Sequence, residues 1–266
     1  MWIVRFYQTS VGKKMVVAVT GVAMFLFLIG HMLGNLKAFA GAEAYDHYAH
    51  TLRVLFADFI GPYTFLWIAR IGLLASVILH VVTVILLARQ NKAARPQKYA
   101  KPVSRASTFS SRFMMVSGLL LLAFVVFHIL HFTTGTIAPT PFEYGKVYAN
   151  ITGAFHQWWL VAIYVLAMLV VGWHLFHGVW SFFHTLGLNN PDRGRFLKHF
   201  STASAVVLVV GFSILPIAIL LGLTKPVPAD PEHAHTSSVV ERTTDEPAAD
   251  DALIETTHRA ADREDH

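Results

Sequence analysis

Hydrophobic and polar positions in this chain fall in blocks rather than in alternation. Five apolar stretches, roughly 15–36, 64–88, 113–132, 158–183 and 202–224, are each long enough to cross a bilayer, which takes about 20 apolar residues in a helix. Four of them contain no Asp, Glu, Lys or Arg, and the second contains only Arg70. Lipid offers no partner to a bare backbone N–H or C=O, so each block is predicted to be helical. A soluble all-α core is the alternative, and it leaves five long uncharged blocks unexplained. The first block is too long for a signal-peptide core and is followed by no small-residue cleavage site, so it reads as the first span. A surface helix is expected around Ala44–Phe56, and Pro216 is expected to kink the fifth span. Trp158 and Trp159 stand where an interfacial aromatic belt belongs. The expected fold class is an all-α integral membrane protein with five transmembrane helices, the first four forming a bundle. Residues 1–224 make up the membrane domain and 225–266 a tail.

Charge adds direction to this picture. Residues 1–224 carry 17 Lys/Arg against 5 Asp/Glu, a net +12, whereas 225–266 carry 4 against 11, a net −7. The connection 89–112 holds Arg89, Lys92, Arg95, Lys98, Lys101, Arg105 and Arg112 with no acid. The fourth connection adds Arg193, Arg195 and Lys198, and the N-terminal segment Arg5, Lys13 and Lys14. Positive charge marks cytoplasmic loops, so the N-terminus is expected inside and the acidic tail, too polar to bury a core, outside and disordered. Membrane lipid is the expected surround, in a bacterial-type inner membrane, and no nucleic acid is expected as a partner. The chain has no cysteine, which excludes a cysteine-ligated iron–sulfur cluster, a covalently attached c-type haem and a disulfide on this polypeptide.

Polar residues within a span are costly and ask for a reason. The first four blocks each contain histidine: His31, His80, His128 with His131, and His174 with His177; the fifth contains none. One such residue is commonly an ordinary hydrogen-bonded core histidine. Four helices with histidine and a fifth without match what two bis-imidazole haem b groups need, since each takes two imidazoles from two facing helices. Helix direction then assigns the pairs. From the helix rise, His31 lies ~25 Å above Lys14 and His128 ~24 Å above Arg112, whereas His80 lies ~22 Å below Phe65 and His174 ~24 Å below Trp158. His31 and His128 are therefore expected at an outer haem, and His80 and His174 at an inner haem, with irons roughly 16 Å apart along the membrane normal. His131 and His177 lie one turn beyond His128 and His174, and spacing alone leaves both open as ligands. His47, His50, His156, His184 and His199 fall at or beyond the interfaces.

A second spacing runs parallel. Gly21 is ten residues before His31 and Gly118 ten before His128, which sets both glycines at the inner-haem height, where they leave room for a macrocycle or simply let helices pack closely. Arg70 is ten before His80, at the outer-haem height, suited to a haem propionate or to snorkelling toward the interface.

The stretches FLIGHMLGN, GAEAYDHYAHTLR, VILHVV, VVFHILHF and WHLFHGVWSFFHTLG resemble the di-haem cytochrome b anchor of succinate:quinone and fumarate:quinone reductases, the five-helix single-anchor type of complex II subunit. The resemblance spans about residues 8–222, and the GAEAY and GxWSF runs are its most specific parts. It implies axial ligands at His31, His80, His128 and His174, with His177 at a position that is not histidine in the family. It also implies a flavoprotein and an iron–sulfur subunit on the cytoplasmic side. Electrons would pass between succinate or fumarate on those partners and membrane quinone (menaquinone or ubiquinone) by way of the two haems. Some fumarate-reducing members carry a glutamate two residues before the fourth ligand, linked to proton transfer; here that position is Gly172.

Quinone chemistry needs a hydrogen bond to each carbonyl and a proton supply near a haem edge. Ser10, Lys13, Lys14, Trp180 and His184 are available toward the inner face, and Asn35, His47, His50 and Arg70 toward the outer face. If quinone reacts on the outside, each electron crosses the membrane potential, worth about 2.3 kcal/mol per charge per 100 mV. The runner-up reading is the di-haem anchor of a formate dehydrogenase or nitrate reductase, and a histidine-bearing transporter is the rival from another class.

Overall fold

The computed structural model describes residues 2–94, 109–188 and 190–227. The centre of the basic connection, the sites Arg95, Lys98, Lys101 and Arg105 included, and the acidic tail from 228 onward lie outside the described residues. Residues Met1–Pro226 form one compact unit.

Every regular element among the described residues is helical. In chain order they are α1 (Trp2–Gln8), α2 (Ser10–Leu36), a 3₁₀ turn (Lys37–Ala40), α3 (Ala42–Val54), α4 (Ala57–Ile60), α5 (Thr64–Ala93), α6 (Phe109–Phe132), α7 (Val147–Phe155), α8 (Trp158–Thr185) and α9 (Pro191–Leu220). The five long helices α2, α5, α6, α8 and α9 are each long and apolar enough to cross a membrane, and together they make this a multi-pass membrane protein. Their ends exceed the apolar blocks because a helix propagates through polar turns that face water as readily as through apolar ones. Helix α9 shows this most: it starts eleven residues before the fifth block, where the Asn190 side chain caps the Arg193 N–H at 2.8 Å. Thr9 caps α2 in the same way, accepting from Gly12 N. Pro216 lies inside α9 without ending it. The expected surface helix is α3, shifted two residues toward the N-terminus.

The long helices associate as two pairs, α2 with α5 and α6 with α8, and α9 buttresses α8 and α2. Close approach at α9 depends on missing side chains. A Cβ on Gly172 would run into Val209, and one on Gly211 into Met32. A glutamate at position 172 therefore has no space while α9 is seated. Helices α5 and α6 are the least covered, with 6% of their apolar stretches buried against 39% for α9. Their outward residues, such as Ile71, Leu74, Ile78, Val116, Leu119 and Leu120, are exposed and apolar, as a lipid-facing surface requires.

The other end of the α2–α9 bundle from α1 is capped. Helix α7, not expected from the sequence, is largely buried there. Its Tyr148 packs with Ala38, Tyr45, Ile151, Phe155 and Tyr164 and with Leu215 and Ile219 of α9. The cap is tied by polar bonds as well: Tyr148 N donates to Asp46 Oδ1 at 2.9 Å, Tyr148 Oη donates to the Lys225 carbonyl at 2.6 Å, and Lys225 Nζ donates to the Ala40 carbonyl at 2.8 Å.

Candidate functional site

The antiparallel pairing of α2 with α5 brings residues 20 and 21 of one helix level with His80 of the other. Thr20 Oγ1 lies 3.0 Å from His80 Nδ1, and a Cβ on Gly21 would sit 3.6 Å from His80 Cε1. The α6–α8 pair repeats the arrangement. Ser117 Oγ lies 3.1 Å from His174 Nδ1, and a Cβ on Gly118 would sit 3.5 Å from His174 Cε1. Gly21 and Gly118 each stand ten residues, about 15 Å of helix rise, before His31 and His128, whose rings face each other at 5.8 Å, so His80 and His174 share a level. The level toward α1 therefore holds two histidines from different helix pairs, each cradled by a hydroxyl and a glycine from its own partner helix.

These contacts suit one tautomer of each ring. A hydroxyl has one hydrogen. Thr20 gives its hydrogen to the Val16 carbonyl at 2.7 Å, with Val17 O at 3.2 Å, and Ser117 gives its to Met114 O at 3.1 Å. With those bonds made, both hydroxyls accept toward the rings. In that arrangement His80 and His174 carry their protons on Nδ1, and Nε2 is left as the nitrogen with a lone pair, the form a metal takes.

At the capped level, His31 of α2 and His128 of α6 have ring centres 5.8 Å apart. Two imidazoles on one metal, each with its nitrogen about 2 Å from the ion, would have ring centres about 6 Å apart. Phe27 stacks on His31 at 5.3 Å and Phe124 on His128 at 5.9 Å. Tyr164 of α8 lies between two histidines, its Oη 3.3 Å from His128 Nδ1 and 2.9 Å from His131 Nδ1. With its one hydrogen given to one ring, Tyr164 accepts from the other. The ring that donates has a bare Nε2, and the ring that accepts bears its proton on Nε2. His128 and His131 are thus mutually exclusive as Nε2 ligands in this arrangement. The nearness of His31 favours His128, which leaves the buried His131 as the acceptor from Tyr164.

The donor set fits haem b. An imidazole from each of four helices stands at one of two levels, His31 with His128 and His80 with His174, each couple drawn from opposite helix pairs. Among the described residues no group of three or more His, Asp or Glu converges on a point, which is the arrangement a protein-only metal cage would need.

The remaining candidate residues are scattered. Arg70 is exposed, with its guanidinium 5.2 Å from the centre of the Trp67 ring. Ser10 is exposed at the start of α2. Lys13 is buried, donating to the Gln8 carbonyl at 2.7 Å and to Gln90 Oε1 at 3.1 Å. Beside it Tyr7 bonds Thr83 across α1 and α5 at 3.0 Å. Asn35 Oδ1 accepts from Tyr45 Oη at 3.2 Å. Trp180 and His184 meet edge to face at 4.7 Å. His47, His50, His156 and His199 are exposed. Thr20, Ser117 and Tyr164 were not singled out from the sequence. A signal was there: a hydroxyl residue directly precedes both glycines, and Tyr164 is ten residues before His174, the spacing that set the heights of Gly21, Arg70 and Gly118.

Comparison with family models, with curated proteins and with solved structures returned no match to this chain.

Proposed function

We propose that this protein is the membrane anchor of a succinate:quinone or fumarate:quinone oxidoreductase, carrying electrons through two haems b between an iron–sulfur subunit and membrane quinone. The observation that carries the reading is the placing of histidines from opposite helix pairs at two levels, His31 with His128 and His80 with His174, with Nδ1 beside a hydroxyl at three of the four. The sequence runs that resemble complex II anchors support the choice of enzyme class. A haem held by two imidazoles supplies reversible one-electron transfer at iron. The chain's part is to set two such sites at different depths, to hold each ring in the ligating tautomer and to keep water away with Phe27, Phe124 and Phe212 around the capped pair. The positive charge of the connections supports His80 and His174 as the cytoplasmic pair, nearest the partner subunits. The expected assembly includes a flavoprotein and an iron–sulfur protein, with no dicarboxylate chemistry on this chain.

The test begins with the absorbance spectrum and a haem count on the purified protein, which should give two haems b per chain. Redox titration with electron paramagnetic resonance on four single variants then assigns them. His31→Leu and His128→Leu should lose one component, and His80→Leu and His174→Leu the other. A colourless protein, or loss of the same component by His31→Leu and His80→Leu, would sink the reading.

A further inference from the structure

The two hydroxyls under His80 and His174 are a matched pair, and this match reaches beyond the assignment of ligands. A Ser or Thr inside a helix ordinarily bonds back to its own carbonyls and does no more. Thr20 and Ser117 make that bond and keep a lone pair aimed at a ring on the neighbouring helix, at 3.0 and 3.1 Å. Both are 6% exposed, so no water competes for the contact. Each is followed by a glycine whose missing side chain leaves the Cε1 edge of the same ring in ordinary van der Waals range. The capped pair is built differently: His128 shares Tyr164 with His131, and among the described residues no hydroxyl reaches the ring of His31.

Resting on the two-haem reading, we infer that Thr20 and Ser117 are positioning residues of the inner haem: each accepts the Nδ1 proton of one axial histidine, holds it in the Nε2-ligating tautomer, and so lowers that haem's midpoint potential. An imidazole that donates from Nδ1 is a more basic ligand, and a more basic ligand favours the ferric state, which carries the extra positive charge. The hydroxyl's own donation to a helix carbonyl polarises it and strengthens it as an acceptor. The outer haem, with one ligand sharing a phenol and one without a hydroxyl, lacks this symmetric support. Hydrogen bonding around the ligands is thus a means by which one chain gives two chemically identical haems different potentials.

The experiment is a redox titration of the full-length protein in its assembled complex, followed by absorbance and electron paramagnetic resonance. It compares Thr20→Val, Ser117→Ala and the conservative pair Thr20→Ser and Ser117→Thr. Ser117→Ala removes a single atom and keeps the measurement possible if Thr20→Val fails to assemble. The Val and Ala variants should raise the midpoint of the component that His80→Leu abolishes and leave the other unmoved, and the Ser and Thr variants should return it to the wild-type value. Selective loss of the inner haem in Thr20→Val, restored by Thr20→Ser, would also support the inference. Two haems at wild-type midpoints in both hydroxyl-free variants, or a shift confined to the outer component, would overturn it while leaving the two-haem reading in place. Wild-type protein without haem would instead overturn that reading itself.

Discussion

Tyr164 has one hydrogen and two histidines within reach, and that shortage makes a testable difference between His128 and His131. Tyr164→Phe leaves the His128 Nδ1–H without its acceptor and releases His131 from its donor. The outer component should then split or broaden in electron paramagnetic resonance while the inner one keeps its signal; unchanged signals from both would mean the phenol does not govern the outer ligand. The glycines admit a graded test at the same scale. A Cβ at 3.5–3.6 Å from a ring carbon is an ordinary contact, so Gly21→Ala and Gly118→Ala should keep both haems. Gly21→Leu or Gly118→Leu should push the ring off its hydroxyl and lower inner-haem occupancy alone. Full occupancy of both haems in the leucine variants would assign the glycines to helix packing.

At the scale of elements, α3 is held to α2 and α7 by polar bonds under a small apolar core, and one of its residues makes the cap sensitive to high pH. Burial, then Tyr48 and then Asp46 raise the Tyr45 pKa from 10.0 to about 12. The folded cap thus holds the Tyr45 proton between pH 10 and about 12 while the unfolded chain releases it, so stability falls as pH rises through that window. The shift of about two pH units corresponds to roughly 2–3 kcal/mol. The protection factors of α3 against hydrogen exchange, taken relative to the intrinsic rate at each pH, should fall over this range, and Tyr45→Phe should remove that fall at the cost of the 3.2 Å bond to Asn35. Persistence of the pH dependence in Tyr45→Phe would place its origin elsewhere. At the other end, Lys13 ties α1 and α2 to α5 through Gln8 and Gln90. The same bonds use two of the three N–H groups that a quinone carbonyl would otherwise meet.

For the whole molecule, depth and orientation carry the function. Thr20 with His80 and Ser117 with His174 define one level, and His31 with His128 the other, and the proposed orientation puts the first toward the cytoplasm. The native chain has no cysteine, so single cysteines report orientation without interference. A cysteine at exposed Lys92 should resist an impermeant thiol reagent in intact cells, and one at Tyr144, 76% exposed in the cap, should react. The reverse pattern would exchange the inner and outer labels while preserving the pairing.

The spans and the levels of the histidines relative to one another were legible in the sequence because both depend on local quantities. Apolar length is matched to a fixed bilayer thickness, and a helix converts residue number to height at a constant rise. The contacts of Thr20 with His80 and Ser117 with His174 agree with the heights that rise assigns to Gly21 and Gly118. Rotation about each helix axis was not legible. Helices α5 and α6 are apolar on every side, since the face toward protein and the face toward lipid have the same polarity, so no stripe marks which side meets a neighbour. Only the packing of α2 on α5 and of α6 on α8 brought a hydroxyl under each inner histidine, and only α8 crossing beside α6 put Tyr164 between His128 and His131. The burial of α7 was hidden for a related reason: its nine residues are too few to carry a pattern of their own, and what covers them, Tyr45 and the end of α9, comes from distant parts of the chain.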